Sequence, residues 1–165
     1  MEPARDIHRI GALAMCAVLW GCVSYQGFTP GVSTMQDVRA RAGRPTDVRF
    51  SGGQQIWEYA TGPQGVETHV ITFDNSGIVQ SVEQVLTLDN IGRLVPGKTT
   101  REETRELLGR PGDINIMNRK EVWEWRFRPF GFIPEILVVS FGGDGLVTDV
   151  ARVPESIGGS NQGRR

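Results

Sequence analysis

One sequence motif occurs twice in this chain, and the two copies are 66 positions apart. The matched segments of the first and second copies are Pro30-Gly31 and Pro96-Gly97, Thr34 and Thr100, Gly43-Arg44-Pro45 and Gly109-Arg110-Pro111, Asp47 and Asp113, and Trp57-Glu58 and Trp123-Glu124. So many matches at one offset indicate a duplicated structural unit. After the Trp-Glu pair the offset becomes 68, as at Phe73 and Phe141, so the second copy contains two inserted residues. Insertions are tolerated best in loops, which places this difference between two strands.

Residues 1–21 have the pattern of a bacterial signal peptide. Arg5 and Arg9 precede the uncharged stretch Ile10–Trp20. A stretch of this length suits the hydrophobic core of a signal peptide and is too short to span a bilayer as a helix.

The predicted signal peptide ends in Leu19-Trp20-Gly21-Cys22, which resembles a lipobox. In a lipobox, cleavage falls before the cysteine and the cysteine is acylated, so Cys22 is the predicted lipidation site, with palmitate-type chains. Such chains anchor a protein because each buried CH₂ contributes about 0.8 kcal/mol. Val23, rather than an aspartate, follows the cysteine, which favours the outer membrane. An ordinary secretory signal with a chance cysteine is the alternative.

Composition excludes some classes of protein. The formal net charge is −1 and the sequence contains no basic stripe, which argues against nucleic-acid binding. Cys16 would leave with the signal and Cys22 would be acylated, so the mature domain is expected to lack disulfides. Its stability must then come from a hydrophobic core.

The repeats define the predicted organisation of the chain. The expected segments are a signal peptide (1–21), a polar tether (22–29), repeat one (30–86), a linker (87–95), repeat two (96–153) and a disordered tail (154–165). The tail is rich in glycine and polar residues and has almost nothing to bury.

Each repeat predicts a short helix followed by three strands. Thr34 and Thr100 are N-cap candidates, and the expected helices are Met35–Ala42 and Arg101–Leu108, closed by glycine and proline. Alternating apolar residues and glycine-containing turns then predict strands joined as hairpins. The predicted fold class is α+β, with two tandem repeats, each a short helix or helices packed on a three-stranded antiparallel meander. The linker is a candidate for an additional short helix.

The order of these motifs resembles the SmpA/OmlA (BamE-like) family of outer-membrane lipoproteins. The shared elements are Gly-x-x-Thr-x-x-Asp/Glu, Gly-Arg-Pro, Trp-x-Tyr/Trp and Phe-x-x-x-Gly-x-Val, present once in each repeat. The resemblance extends to the wider superfamily with the fold of β-lactamase inhibitory protein, which also has two tandem helix-plus-meander repeats. It implies a periplasm-facing, lipid-anchored scaffold. Members of the family usually carry one such domain, whereas this chain carries two.

Residues suited to catalysis or metal binding are few. His69 is the only histidine left after signal removal, and we expect it to be a hydrogen-bonded residue of the core or rim rather than a ligand. Glu58 and Glu124 could form an acid/base pair, but as duplicated strand residues they are expected on solvated surfaces. The segment Asp74–Gly77 is interpreted as a hairpin turn rather than a calcium loop. We therefore predict no catalytic residue, metal or cofactor, and no enzymatic activity.

Four aromatic residues lie on the central strands, and we expect them to form the core rather than a ligand site. They are Trp57, Tyr59, Trp123 and Trp125.

The copies differ most in the loop between strands two and three. Repeat one has a plain polar turn, Thr61–Gly65, whereas repeat two has the longer apolar segment Arg126–Pro134. Aromatic residues and arginine are enriched where interfaces are anchored. The candidate partner-binding residues are Arg126, Arg128, Phe130, Phe132 and Ile133. In the alternative, this loop folds back over the core between the repeats.

The sequence and the resemblance together lead to two functional expectations. The first is a lipid-anchored scaffold on the periplasmic face of the outer membrane that aids envelope integrity or outer-membrane β-barrel protein assembly. Its partners would be membrane lipid, through acylated Cys22, and an envelope protein, for which the β-barrel assembly machinery is the candidate that the resemblance suggests. The second is a periplasmic inhibitor or binding module for an enzyme, similar to β-lactamase inhibitory protein.

Overall fold

The computed structural model describes residues 25–61, 65–129 and 133–155. A 3₁₀ turn at Tyr25–Gly27 precedes three helices, α1 Met35–Ala42, α2 Leu88–Ile91 and α3 Arg101–Leu108. The strands of repeat one are β1 Asp47–Ser51, β2 Gln54–Thr61, β3 Glu67–Phe73 and β4 Val79–Gln84, and those of repeat two are β5 Asp113–Met117, β6 Lys120–Phe127, β7 Glu135–Phe141 and β8 Val147–Pro154. Cys22 and the expected signal peptide lie outside the described residues, as does most of the expected tail.

Helices α1 and α3 have the predicted bounds, because local chemistry fixes both ends. Thr34 and Thr100 each accept a hydrogen bond from the backbone three residues on, and the acidic residue there bonds back, completing a capping box. The closing residues Gly43 and Gly109 have φ values of 77° and 78°. A left-handed conformation of this kind favours glycine, which has no Cβ.

The strands form two separate four-stranded antiparallel sheets, sheet 1 in the order β1-β2-β3-β4 and sheet 2 in the order β5-β6-β7-β8. The α+β class and the duplicated two-part arrangement are confirmed, but the prediction of three strands per repeat was wrong. The missed strands, β1 and β5, are edge strands, and every residue of β5 is exposed. Both strands do alternate between polar and apolar residues over their first four positions, so the sequence held a signal for them that the prediction did not use.

Each sheet has a helix side and an outer side. On the helix side, the core of repeat one joins Val38 of α1 to Trp57, Tyr59 and Phe73. The core of repeat two joins Leu108 of α3 to the equivalent residues, which include Trp123, Trp125 and Phe141. The prediction that the four aromatic residues form the core is confirmed, since all are at least nine-tenths buried.

Segments outside the two motifs also pack on these cores. The predicted linker helix is confirmed as α2, whose Ile91 is buried in the core of repeat two. Within the expected tether, Phe28 is buried in the core of repeat one, and Tyr25 packs against it. Tyr25 and Ile91 are 66 positions apart, so the duplicated unit begins before the predicted start of each repeat.

In the described ranges, no helix is both long enough and apolar enough to cross a bilayer.

Candidate functional site

The two repeats meet at Glu58, at the centre of the outer side of sheet 1. Its carboxylate accepts hydrogen bonds from Arg105 Nη1 at 2.6 Å, from the backbone N of Arg110 at 2.9 Å and from Arg49 Nε at 3.0 Å. Arg105 also donates from Nη2 to Asp47 at 2.6 Å. The sequence predicted Glu58 on a solvated surface, and this was wrong, since only 1% of the residue is exposed. The burial comes from repeat two, which the alternation within β2 cannot reveal.

The carboxyl end of α3 covers this part of sheet 1 closely. A Cβ added to Gly109 would lie 2.6 Å from Cγ2 of Thr68, closer than side chains tolerate. Glycine is therefore required at this position for contact as well as for backbone conformation. We call the contact of Arg105, Gly109 and Arg110 with Glu58, Asp47 and Thr68 the inter-repeat junction.

Among residues 25–61, 65–129 and 133–155, none covers the outer side of sheet 2 in this way. Glu124 occupies the position of Glu58, yet in the described part of the chain its carboxylate has no hydrogen-bond or ion-pair partner. Val138 is half-buried, whereas the equivalent Val70 is 7% exposed. Val153 on β8 belongs to the same surface and is 50% exposed. We call this surface, around Glu124, Val138 and Val153, the open face of sheet 2.

A cleft of about 560 Å³ lies between the open face and the outer side of sheet 1. Glu58 and Thr68 line it from repeat one, and Asp113, Glu124 and Arg126 line it from repeat two. Its walls carry carboxylates, guanidinium groups and short apolar stretches. This mixture suits recognition of a polar chain or surface.

The described candidate residues of the Arg126–Pro134 loop lie beside the open face. Arg126 forms an ion pair with Glu155, Arg128 is exposed, and Ile133 is 58% exposed. Phe130 and Phe132 lie outside the described residues. The segment thus brings Arg126 to the rim of the face, but sequence reasoning did not identify the face itself.

The remaining polar candidates form local structure. His69 is at the rim of repeat one, as expected, stacked on the ring of Tyr25 at 4.3 Å and 3.3 Å from a carboxylate oxygen of Glu67. Tyr59 donates its hydroxyl to the carbonyl of Gly43, and burial raises the pKa of Tyr59 to about 12. Among the residues of the three described ranges, no group of three or more histidine, cysteine, aspartate or glutamate side chains could hold a metal ion.

Comparisons with known proteins add little to this geometry. No protein-family model matches the chain, and no curated protein matches it. Among solved structures, the chain is similar to a DUF4309 family protein (YjgB) from Bacillus subtilis subsp. subtilis str. 168, at 16% sequence identity and a TM-score of 0.31, over 79% of this chain and 84% of that chain. A similarity this distant carries no argument about function, which therefore has to be argued from the surfaces of the chain.

Proposed function

We propose that this protein is a non-catalytic binding module that presents the open face of sheet 2 to a partner protein. The observation that carries the proposal is the difference between two duplicated surfaces. The outer side of sheet 1 is covered by its neighbour, whereas the same side of sheet 2 exposes half of Val153 and leaves Glu124 without a partner in the described ranges. Exposed apolar surface bordered by polar groups is typical of protein-binding sites.

The open face combines the two components that protein interfaces need. Val138 and Val153 offer apolar surface on β7 and β8, Glu124 offers a carboxylate opposite Val138 on β6, and Arg126 offers charge at the end of β6. Ile133, in the adjoining loop, is a further exposed apolar residue. Apolar contacts supply most of the binding free energy, and charged groups supply orientation and specificity.

We further propose that the module acts at the periplasmic face of the outer membrane, anchored through acylated Cys22. The lipobox-like sequence that ends at Cys22 supports this part of the proposal. Cys22→Ala should abolish incorporation of labelled palmitate. Unchanged labelling would contradict lipid anchoring while leaving the proposed binding surface intact.

The binding surface is tested by photo-crosslinking in intact cells. A photoreactive amino acid at Val153 of the full-length chain should capture a partner, whereas the same probe at Val32 should not. Val32 is a matched control because it is 70% exposed and lies in repeat one, before α1. Capture of barrel-assembly components would support a scaffold role, and capture of one periplasmic enzyme would support an inhibitor. Equal capture at the two positions, or none at Val153, would overturn the proposed surface.

A further inference from the structure

The inter-repeat junction is built from residues that both copies carry. Arg105, Glu58 and Asp47 form its ion pairs. The equivalents at the offset of 66 are Arg39, Glu124 and Asp113. Arg105, Asp47 and Glu58 pair with one another because the carboxyl end of α3 contacts sheet 1. Among the described residues, nothing occupies the corresponding place on sheet 2, so Arg39, Glu124 and Asp113 form no such pairs there.

The carboxyl end of α1 has the same form as that of α3. Gly43 and Gly109 adopt nearly the same φ, and each donates its backbone N–H to an arginine carbonyl four residues earlier. The Tyr59 hydroxyl and the Trp125 indole N–H donate to the carbonyls of these two glycines. A Cβ added to Gly43, however, would meet nothing within 4 Å. The surface that α3 buries in the junction is thus exposed at the end of α1.

The charges at the two exposed ends are complementary. Arg39 and Arg44 are exposed at the end of α1, and among the described residues no carboxylate lies within ion-pair distance of Arg39. Arg41, by contrast, is held by the carbonyl of Gly27. Glu124 and Asp113 on sheet 2 lack arginine partners in the described part of the chain. The arginine at the end of α1 and the carboxylates of sheet 2 are therefore complementary in charge, as Arg105 and its two carboxylate partners are in the junction.

We propose that the occupant of the open face is a second copy of this chain, bound head to tail through the end of its α1. Arg39 of one copy would pair with Glu124 and Asp113 of the other, as Arg105 pairs with Glu58 and Asp47. This assignment rests on the proposed binding function of the face and names its partner. Such an interface is heterologous, so it leaves a free head and a free tail and extends into a chain of molecules.

Several substitutions distinguish the open face from the outer side of sheet 1. Asn115 stands in the place of Arg49, so sheet 2 lacks the arginine that donates to Glu58 from within repeat one. Ile136 stands in the place of Thr68 and keeps a branched methyl group at Cβ, which is the group that Gly109 contacts in the junction. Arg126 stands in the place of Ala60, and its positive charge is paired with Glu155. Glu124 remains the unpaired carboxylate of the surface in the described ranges.

The test uses two differently tagged full-length copies in the same cells, with a photoreactive amino acid at Asn115 of one copy. Asn115 is exposed and is on the same side of sheet 2 as Glu124, since it pairs with Val122, two residues from Glu124 on β6. We expect crosslinks to the second copy, mapping to the end of α1. Arg39→Glu in the second copy should lower their yield about tenfold, since coupling of a close interfacial charge pair is about 1.5 kcal/mol or more. Arg39→Glu in the probe-bearing copy should leave it unchanged, because that copy supplies only its sheet.

Charge reversal distinguishes pairing from loss of folding. Glu124→Arg in the probe-bearing copy should abolish the crosslink to wild type and restore it to a second copy carrying Arg39→Glu. Lys98→Glu, which reverses an exposed charge elsewhere, is the matched control and should have no effect. Equal sensitivity of both copies to Arg39→Glu, or no rescue by the reversed pair, would overturn the head-to-tail assignment. If Asn115 captures only a different protein, the proposed binding function stands and self-association fails.

Discussion

Glu58→Gln should destabilise the protein far more than Glu124→Gln, although the two residues are copies of one motif. Glu58 is buried and accepts three hydrogen bonds, two of them from repeat two. Removing one member of a buried ion pair costs about 3–5 kcal/mol. Because Arg105 keeps Asp47 as a partner and is 21% exposed, we expect the lower end of that range, about 3 kcal/mol. Glu124 has no side-chain partner in the described ranges, so its substitution should change stability by less than about 0.5 kcal/mol.

Chemical denaturation with circular dichroism detection measures both free energies of unfolding. The slopes against denaturant should agree among variants, so the difference should be seen in the midpoints. A double-mutant cycle with Arg105→Met isolates the pair, and its coupling energy should be about 1 kcal/mol or more. If Glu58→Gln and Glu124→Gln differ by less than about 0.5 kcal/mol, burial by the neighbouring repeat does not stabilise the junction and the reasoning fails.

Two further pairs of variants test the packing. Gly43→Ala should cost about 1–3 kcal/mol of backbone strain, because its φ is positive. Gly109→Ala should cost the same strain plus about 1–3 kcal/mol for the clash with Thr68. Equal losses in thermal denaturation would contradict the close contact. The pKa of Tyr59 is raised to about 12 from 10.0, so its contribution to stability is complete below pH 10 and is lost as pH rises toward 12. Tyr59→Phe should therefore unfold with a weaker pH dependence than wild type between pH 10 and 12, and identical profiles would show that burial does not hold the phenol neutral.

The sequence predicted the helices and the core because their determinants are local. A threonine cap, an acidic residue three positions on and a closing glycine fix α1 and α3 within a few residues of chain. Alternation within one strand is enough to place Trp57 and Trp123 on the same side of their sheets.

The junction depends on contacts between distant parts of the chain, which no local pattern shows. Strands β1 and β5, by contrast, pair with β2 and β6 across two-residue turns, and their alternating residues were a local signal that the prediction did not use. Gly52-Gly53 was a second local signal, since two glycines with positive φ make the tight turn between β1 and β2. The equivalent turn, Asn118-Arg119, contains no glycine, so the second copy gave no such signal.

The junction also left a trace in the sequence. Two carboxylates and one arginine recur in both copies. They are Asp47, Glu58 and Arg39 in the first copy and Asp113, Glu124 and Arg105 in the second. Recurrence of one charge alone is compatible with a solvated surface. Recurrence of a carboxylate pair together with an arginine is what an interface between successive repeats requires, because each repeat must supply one half. Comparing the charged residues of the two copies, rather than the alternation within one strand, would have predicted the burial of Glu58.

Two repeats in tandem form one junction. The helix end of the first repeat and the outer side of sheet 2 then have no neighbouring repeat to contact. Terminal repeats of such arrays need a polar or otherwise protected outer surface to remain soluble. Here the protection is incomplete, since Arg126, paired with Glu155, covers the edge of the open face while Glu124 stays unpaired among the described residues. A surface that is always exposed to solvent would not keep the Glu124 carboxylate of the junction. A permanent interface would not need the Arg126–Glu155 pair at its edge. The arrangement therefore suits a surface that binds and releases its partner, with the charge at position 124 setting which partner is accepted.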